Sequence, residues 1–210
     1  MLQWAREQRP PCQLSEAVCS AAAAGGHLHV LRWLRQQWPP CPWGAHACSA
    51  AAERGHLHVL QWLRAQEPPC PWDAHACRAA AARGHVRVLQ WLRRRGCPWD
   101  ATATSAAAAG GHFAALRWLR AQEPPSPWGD MMCDLAAERG DLPMLQWLRA
   151  QRPPCPWGEV TLATAAGRDR LAVLQWARRQ RPPCPRGRSA CAAAARAGHL
   201  GALVWLREQG

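Results

Sequence analysis

The 210-residue chain contains no Lys, Ile, Asn or Tyr and a single Phe, Phe113. No apolar run approaches the roughly 18 residues needed to span a bilayer. No charged start followed by an apolar stretch marks a secretory leader. A soluble intracellular protein, in cytoplasm or nucleus and without a membrane contact, is the expectation. Acid is scarce as well: 14 carboxylates face 26 basic residues, all Arg, for a net charge of +12. Such a surplus suits a nucleic-acid partner. The missing amino acids, however, are those with AT-rich codons, while Ala, Arg, Gly, Pro and Trp abound, so GC-rich coding accounts for part of the charge without selection for binding. No phosphate loop, dinucleotide glycine motif or Ser–His–Asp order is present. These absences speak against an enzyme and call for no cofactor. The eleven Cys, an odd number with no leader in front of them, read as reduced thiols rather than a disulfide scaffold.

What is abundant is periodic. Trp recurs at positions 4, 33, 62, 91, 118, 147, 176 and 205, in steps of 29 residues with one step of 27. A second series, Trp43, Trp72, Trp99, Trp128 and Trp157, keeps the same beat; Trp38 lies outside both. The short step falls where Arg95-Gly96-Cys97-Pro98-Trp99 replaces the longer "QEPPCPW"-type loop. A period of this size means a stacked repeat.

Each unit reads as two helices. Over His27–Gln37 the residues Leu28, Val30, Leu31, Trp33 and Leu34 fill an arc of roughly 220°, well beyond the ~100° stripe of a surface helix. That helix must be covered on several sides, leaving His29, Arg32 and Gln36 in solvent. The other helix, for example Ala45–Arg54, is rich in small residues. Its Ala51 and Ala52 slots are Ala in every unit, which predicts close helix approach where a larger side chain would overpack. Gly26, Gly55, Gly84, Gly111, Gly140 and Gly198 follow this helix and suit a left-handed cap. Asp73 and Asp100 suit N-caps. Helices of about ten residues are marginal alone, so neighbouring units must supply the missing burial.

"AAERGHLHVLQWLRAQ", residues 51–66, resembles the ankyrin consensus A-A-x-x-G-H-L-x-V-V-x-x-L-L, and the resemblance runs through the chain. The usual Thr-Pro-Leu-His turn is not matched: His46-Ala47-Cys48-Ser49 stands in its place. The units are also shorter than the family's 33 residues. "GHLxVLxW" followed by "CPW" is similar to the divergent ankyrin repeats of algae, protists and large DNA viruses. The resemblance implies an all-α, ankyrin-type helix-pair solenoid with β-hairpin fingers reduced or absent. It would be one array over residues 1–210, an N-terminal half unit followed by about seven helix pairs of 27–29 residues. One stretch departs from the pattern: in "AAGRDRL", residues 165–171, Asp169 stands in the Gly slot and Arg170 in the His slot, and Arg186 fills the place of a loop Trp. Asp tolerates the left-handed conformation less well than Gly, so this unit or its junction with the next is expected to be the softest point.

Chemical candidates are weighed against the repeat. Cys70, His75 and Cys77 have the look of zinc ligands, and Cys41, His46 and Cys48 repeat the trio, but a metal site needs a fourth ligand and persistence. Elsewhere the same slots read Cys97/Thr102/Thr104, Ser126/Met131/Cys133 and Cys155/Val160/Leu162, the exchange pattern of small buried residues. No metal is expected. His27, His56, His85, His112 and His199 share a slot with Asp141 and suit hydrogen bonding to exposed backbone at a helix terminus. Two Trp per unit at fixed spacing read as core. Arg6, Arg35, Arg64, Arg93, Arg120, Arg149, Arg178 and Arg207 always follow the helical Trp by two residues. They either complement helix C-termini or form a ladder that tracks a phosphate backbone.

Specificity belongs to varied positions. On the Ala-rich helix His46, Ser49 and Glu53 point the same way, and their rows change freely through His75, Arg78, Met131, Asp134 and Glu138 among others. In ankyrin-like stacks this helix lines the concave, partner-binding face. Met131, Asp134 and Glu138 form the most distinctive patch; drift of an unconstrained solvated face would look the same. The leading expectation is a monomeric, non-catalytic scaffold binding a protein partner through His46, Ser49, Glu53, His75, Arg78, Met131, Asp134 and Glu138. The alternative is an Arg-driven nucleic-acid binder using the ladder and Trp38. A third possibility is a piece of a longer array with no dedicated activity, since the termini lack polar capping repeats.

Overall fold

The computed structural model describes residues 13–128, 131–185 and 188–209. The N-terminal half unit with Trp4 and Arg6, and the Arg186 slot, lie outside them. Fourteen helices and no strand occur among the described residues, in an all-α helix-pair repeat fold. The "CPW" loops take the place of β-hairpin fingers there. The chain divides into two compact units, residues 1–99 and 100–210.

The first unit holds three pairs: α1 (Glu16–Ala24) with α2 (Leu28–Arg35), α3 (Ala45–Glu53) with α4 (Leu57–Arg64), and α5 (Ala74–Ala82) with α6 (Val86–Arg94). The second holds four: α7 (Ala101–Gly110) with α8 (Phe113–Arg120), α9 (Met132–Arg139) with α10 (Leu142–Ala150), α11 (Glu159–Gly167) with α12 (Leu171–Arg179), and α13 (Ser189–Ala197) with α14 (Leu200–Glu208). Within each unit the Ala-rich first helices pack on one another, α3 between α1 and α5, and α11 between α9 and α13, while each second helix packs on its own first helix.

The Ala pairs explain the close packing. Ala51, Ala52, Ala80, Ala81, Ala136 and Ala137 are fully buried, so a larger side chain there would displace backbone. Behind them the Leu pairs Leu31/Leu34, Leu60/Leu63, Leu89/Leu92, Leu116/Leu119 and Leu145/Leu148 complete the core. The chain turns between the helices of a pair through residues at positive φ, Gly55 at 76° and Gly140 at 74° among them. Asp169 takes the same turn at φ 55°, a conformation in which Asp is tolerated at some cost. Asp73 and Asp100 cap α5 and α7, accepting from the amides of His75 at 2.9 Å and Thr102 at 2.8 Å.

Tryptophan is corrected from the sequence expectation. Every described Trp of the two series is half-buried rather than core, and Trp38 is 90% exposed. The rings lie along the loop end of the pairs instead, edge to face: Trp43 against Trp62 (6.0 Å between centroids), Trp72 against Trp91 (5.8 Å), Trp128 against Trp147 (6.1 Å) and Trp157 against Trp176 (5.7 Å). A loop ring thus meets the helical ring of the following pair, where one side stays open to solvent.

Candidate functional site

The arginine series resolves into a latch. Arg64 Nη1 donates to the carbonyl of Cys70 at 2.6 Å while its guanidinium lies 4.0 Å over the ring of Trp72. Arg35 does the same to Cys41 (2.9 Å) over Trp43 (4.0 Å), Arg120 to Ser126 (2.5 Å) over Trp128 (4.0 Å), and Arg149 to Cys155 (2.5 Å) over Trp157 (4.2 Å). Arg93 lies 4.3 Å over Trp99, and Arg178 donates to Cys184 at 3.0 Å. All six are half-buried. Each therefore ties the end of its helix to the loop six residues on, and five of the six have a guanidinium face covered by a Trp ring.

The cysteines serve the same loops. Cys19 Sγ stands 3.3 Å from Cys41 Sγ, and Cys48/Cys70, Cys77/Cys97 and Cys133/Cys155 are likewise thiol pairs in direct contact. The loop thiol also donates to the backbone carbonyl that opens its pair: Cys41 to Ser15 (3.4 Å), Cys70 to Gly44 (3.4 Å), Cys97 to Asp73 (3.5 Å) and Cys184 to Gly158 (3.3 Å). Ser126 Oγ makes that bond to Asp100 at 3.3 Å, so a hydroxyl suffices. Burial, then the Cys41 thiol, pushes Cys19 up to about 12, and burial pushes Cys184 up to about 11. In the other pairs the partner thiol and then burial push Cys70, Cys97 and Cys133 well above the ordinary thiol range. These are protonated framework thiols. Cys70 pairs with Cys48 and Cys77 with Cys97, so the trio Cys70, His75 and Cys77 is split between two contacts; no group of three metal-ligating side chains occurs among the described residues.

Two of the Gly-His histidines bond helix-terminal carbonyls, those of the preceding pair. His56 Nε2 lies 3.1 Å from Ala24 O and His85 Nε2 3.0 Å from Glu53 O. Arg170, in the same slot, donates through Nε to Glu138 O at 3.2 Å, whereas Asp141 caps its own helix by accepting from Met144 N at 3.0 Å.

Against these committed side chains stands the face of the first helices. In the first unit α1, α3 and α5 border a groove of about 520 Å³ lined by Glu16, Ser20, His46, Ser49, Glu53, His75 and Arg78 together with Ala17, Ala50 and Ala79. Five of the eight sequence-predicted site residues meet there: His46, Ser49, Glu53, His75 and Arg78. The Ala floor exists because these helices approach closely; the polar rim follows from the one-face spacing of each row. Glu53 is paired to Arg83 at 2.9 Å and Ser49 Oγ returns to Ala45 O at 3.1 Å, while His46, His75 and Arg78 are exposed. The carboxylate of Glu16 sits over the N-terminus of α3, 2.7 Å from where a Cβ on Gly44 would be, where a negative charge complements the helix dipole. Glu16 and Ser20 were missed from sequence. Extending two rows one repeat back, from His46 to Ala17 and from Ser49 to Ser20, reaches this wall.

The other three predicted residues lie in the second unit and differ in freedom. Met131 is 61% exposed, at φ 62°. Asp134 accepts from Thr161 Oγ1 at 2.5 Å, and Glu138 is paired to Arg168 at 2.6 Å.

Residues 48–93 match the family model for ankyrin repeats (many copies). These residues, from α3 to α6, are thus similar to ankyrin repeats. Ankyrin repeats generally mediate protein interactions and are generally non-catalytic. No curated protein matches the ankyrin-like chain in sequence. Among solved structures it is similar to the pentatricopeptide repeat protein PPR10 in complex with an 18-nt psaJ RNA element, with a TM-score of 0.51 and 15% identity over 92% of this chain and 32% of that one. The chain thus spans about a third of that protein, and the likeness is one of helix-pair fold. An ankyrin repeat family protein from Legionella pneumophila is also similar, at 19% identity over 98% of this chain and 75% of that one, with a TM-score of 0.34. No helix among the described residues is long and apolar enough to cross a membrane.

Proposed function

We propose that the protein is a non-catalytic interaction scaffold that binds a protein partner through the first-helix face, centred in the first unit on His46, Ser49, Glu53, His75 and Arg78. The observation that carries this reading is the groove itself: in the first unit the positions that vary from repeat to repeat line an open depression of about 520 Å³, while the invariant positions are committed to core, latch and cap. In the second unit exposed Met131, beside the start of α9, offers an adaptable apolar contact of its own. The exposed side chains of the groove include acid, base and imidazole, which favours a partner segment of mixed polarity.

The test begins with capture of the partner by the full chain and continues with calorimetry. Ser49→Trp, which fills the groove, and Arg78→Glu, which inverts its charge, should each weaken binding by about tenfold or more. Unchanged affinity in both variants would remove the groove from the function.

Nucleic-acid binding along the arginine ladder has less support, because six of its members are occupied by loop carbonyls or Trp rings. Arg178→Gln should leave any binding to a random single-stranded oligonucleotide unchanged. A steep salt dependence that falls when ladder residues are replaced would restore that alternative.

A further inference from the structure

Residues 165–171, "AAGRDRL", break the repeat at two positions, and the groove in the first unit uses neither. Arg170 stands where five other pairs carry His and one carries Asp141, and it makes the bond of His85: its Nε donates to Glu138 O at 3.2 Å, as His85 Nε2 meets Glu53 O at 3.0 Å. An imidazole so engaged has one nitrogen left, whereas a guanidinium engaged through Nε keeps both terminal amino groups. Beside it Arg168 Nη2 holds Glu138 Oε1 at 2.6 Å, and Arg139 Nη1 donates to Ala109 O at 3.0 Å. Each arginine is thus anchored through one nitrogen, with others left to donate.

These three side chains, with Ala109, Leu135 and Glu138, line a pocket of about 370 Å³ within the second unit. Three guanidinium groups against one carboxylate leave two positive charges in excess. Asp169 does not line the pocket; its carboxylate is turned toward Gly201 of the following pair. In the first unit the equivalent residues around Glu53 are Arg54, Arg83 and His85, one guanidinium fewer.

We propose that the pocket of Arg139, Arg168 and Arg170 binds a phosphate monoester carried by a partner polypeptide, a phosphoserine or phosphothreonine. Such a group carries about −1.5 to −2 charges and three acceptor oxygens, which matches the excess charge and the remaining guanidinium donors. A carboxylate side chain, with one charge, leaves half of that excess unmet. A phosphodiester also carries a single charge and continues in both directions, so it is served by a track of separated cations rather than one closed cluster.

The test uses the full chain and a short Gly/Ser peptide with a central phosphoserine, at about pH 8, above the ordinary histidine range. Calorimetry gives affinity, and the side-chain ¹⁵N resonances of arginine Nε report which guanidinium groups respond. Saturable binding is expected, with shifts confined to Arg139, Arg168 and Arg170. The unphosphorylated peptide should not bind, and an aspartate peptide should bind about tenfold more weakly or worse. Arg170→His is the decisive variant: it installs the residue that His56 and His85 show to be compatible with the backbone bond, so the melting temperature should hold while phosphopeptide affinity falls about tenfold. Equal binding of phosphoserine and aspartate peptides, shifts spread over arginines generally, or wild-type affinity in Arg170→His would each overturn the proposal. Tighter binding of a single-stranded oligonucleotide that is lost in Arg170→His would overturn it in favour of nucleic acid.

Discussion

The loop end of the helix pairs and the face of the first helices are built from the same repeats, yet their side chains are used in opposite ways. At the loop end Arg, Trp and Cys are nearly uniform, and each is engaged: Arg64 on Cys70 O and Trp72, Trp72 on Trp91, Cys70 on Cys48 and Gly44 O. On the first-helix face the rows vary along the chain, and His46, His75 and Arg78 stand exposed around a groove. Uniformity in this repeat therefore marks side chains engaged at the core and loop end, while the varied rows hold both paired residues, such as Glu53 and Asp134, and exposed ones, such as His46 and Arg78. An abundance of arginine is not in itself a surface for phosphate.

The largest effect that would break this contrast is alkaline. Thiols whose folded pKa lies above the ordinary value of 9.0 stabilise the fold fully below that value, and this contribution is lost as pH rises toward the folded values, about 12 for Cys19 and about 11 for Cys184. Denaturant melts in reductant should show stability level up to about pH 8 and falling steadily above about pH 9. Stability that rises over that range would mean the thiols are not buried as described. Next comes the latch. Arg149→Ala removes a charged hydrogen bond and a cation–π contact, a loss of about 2–3 kcal/mol. Replacement of Arg207, the exposed one among the described members of the series, should cost under about 0.5 kcal/mol. Equal losses at the two positions would show that the series acts through the helix dipole instead. Smaller again is the inter-pair bond: His85→Ala and Arg170→Ala should each cost about 1 kcal/mol, whereas Arg170→His stays near wild type in chemical denaturation. Smallest is the groove, where Ser49→Ala and His46→Ala should change stability by less than about 0.5 kcal/mol while weakening the partner complex. A large loss of stability there would make those residues framework after all.

Much of the fold was legible because its determinants repeat. The buried Ala pairs, the left-handed Gly turns and the Asp caps each rest on a local rule that the 29-residue beat multiplies. Tryptophan misled because regular spacing signals a structural role without saying how deep the ring sits; the side left open depends on how one pair follows the next. The latch escaped notice although its spacing is plain: Arg35 to Cys41, Arg64 to Cys70 and Arg149 to Cys155 are each six apart, with Trp two further on. A bond from a side chain to a loop carbonyl leaves no mark on residue type at the acceptor. For the groove, the one-face spacing of His46, Ser49 and Glu53 was enough. The engagement of Asp134 by Thr161 and of Glu138 by Arg168 was not readable, since both partners lie in the following repeat.

The bond from loop to opening carbonyl, Cys70 Sγ to Gly44 O or Ser126 Oγ to Asp100 O, joins residues 26 apart and so brings the last segment of a pair back to its first. Five of the described pairs, α1–α2, α3–α4, α5–α6, α7–α8 and α11–α12, are buckled shut in this way. Opening such an assembly cannot proceed residue by residue: releasing the buckle frees two helices together, so the natural quantum of disorder is one whole repeat. Amide exchange should accordingly fall into blocks that share a rate across a helix pair and change abruptly at the loops, and a protease that cuts at one loop should shed a pair rather than nibble an end.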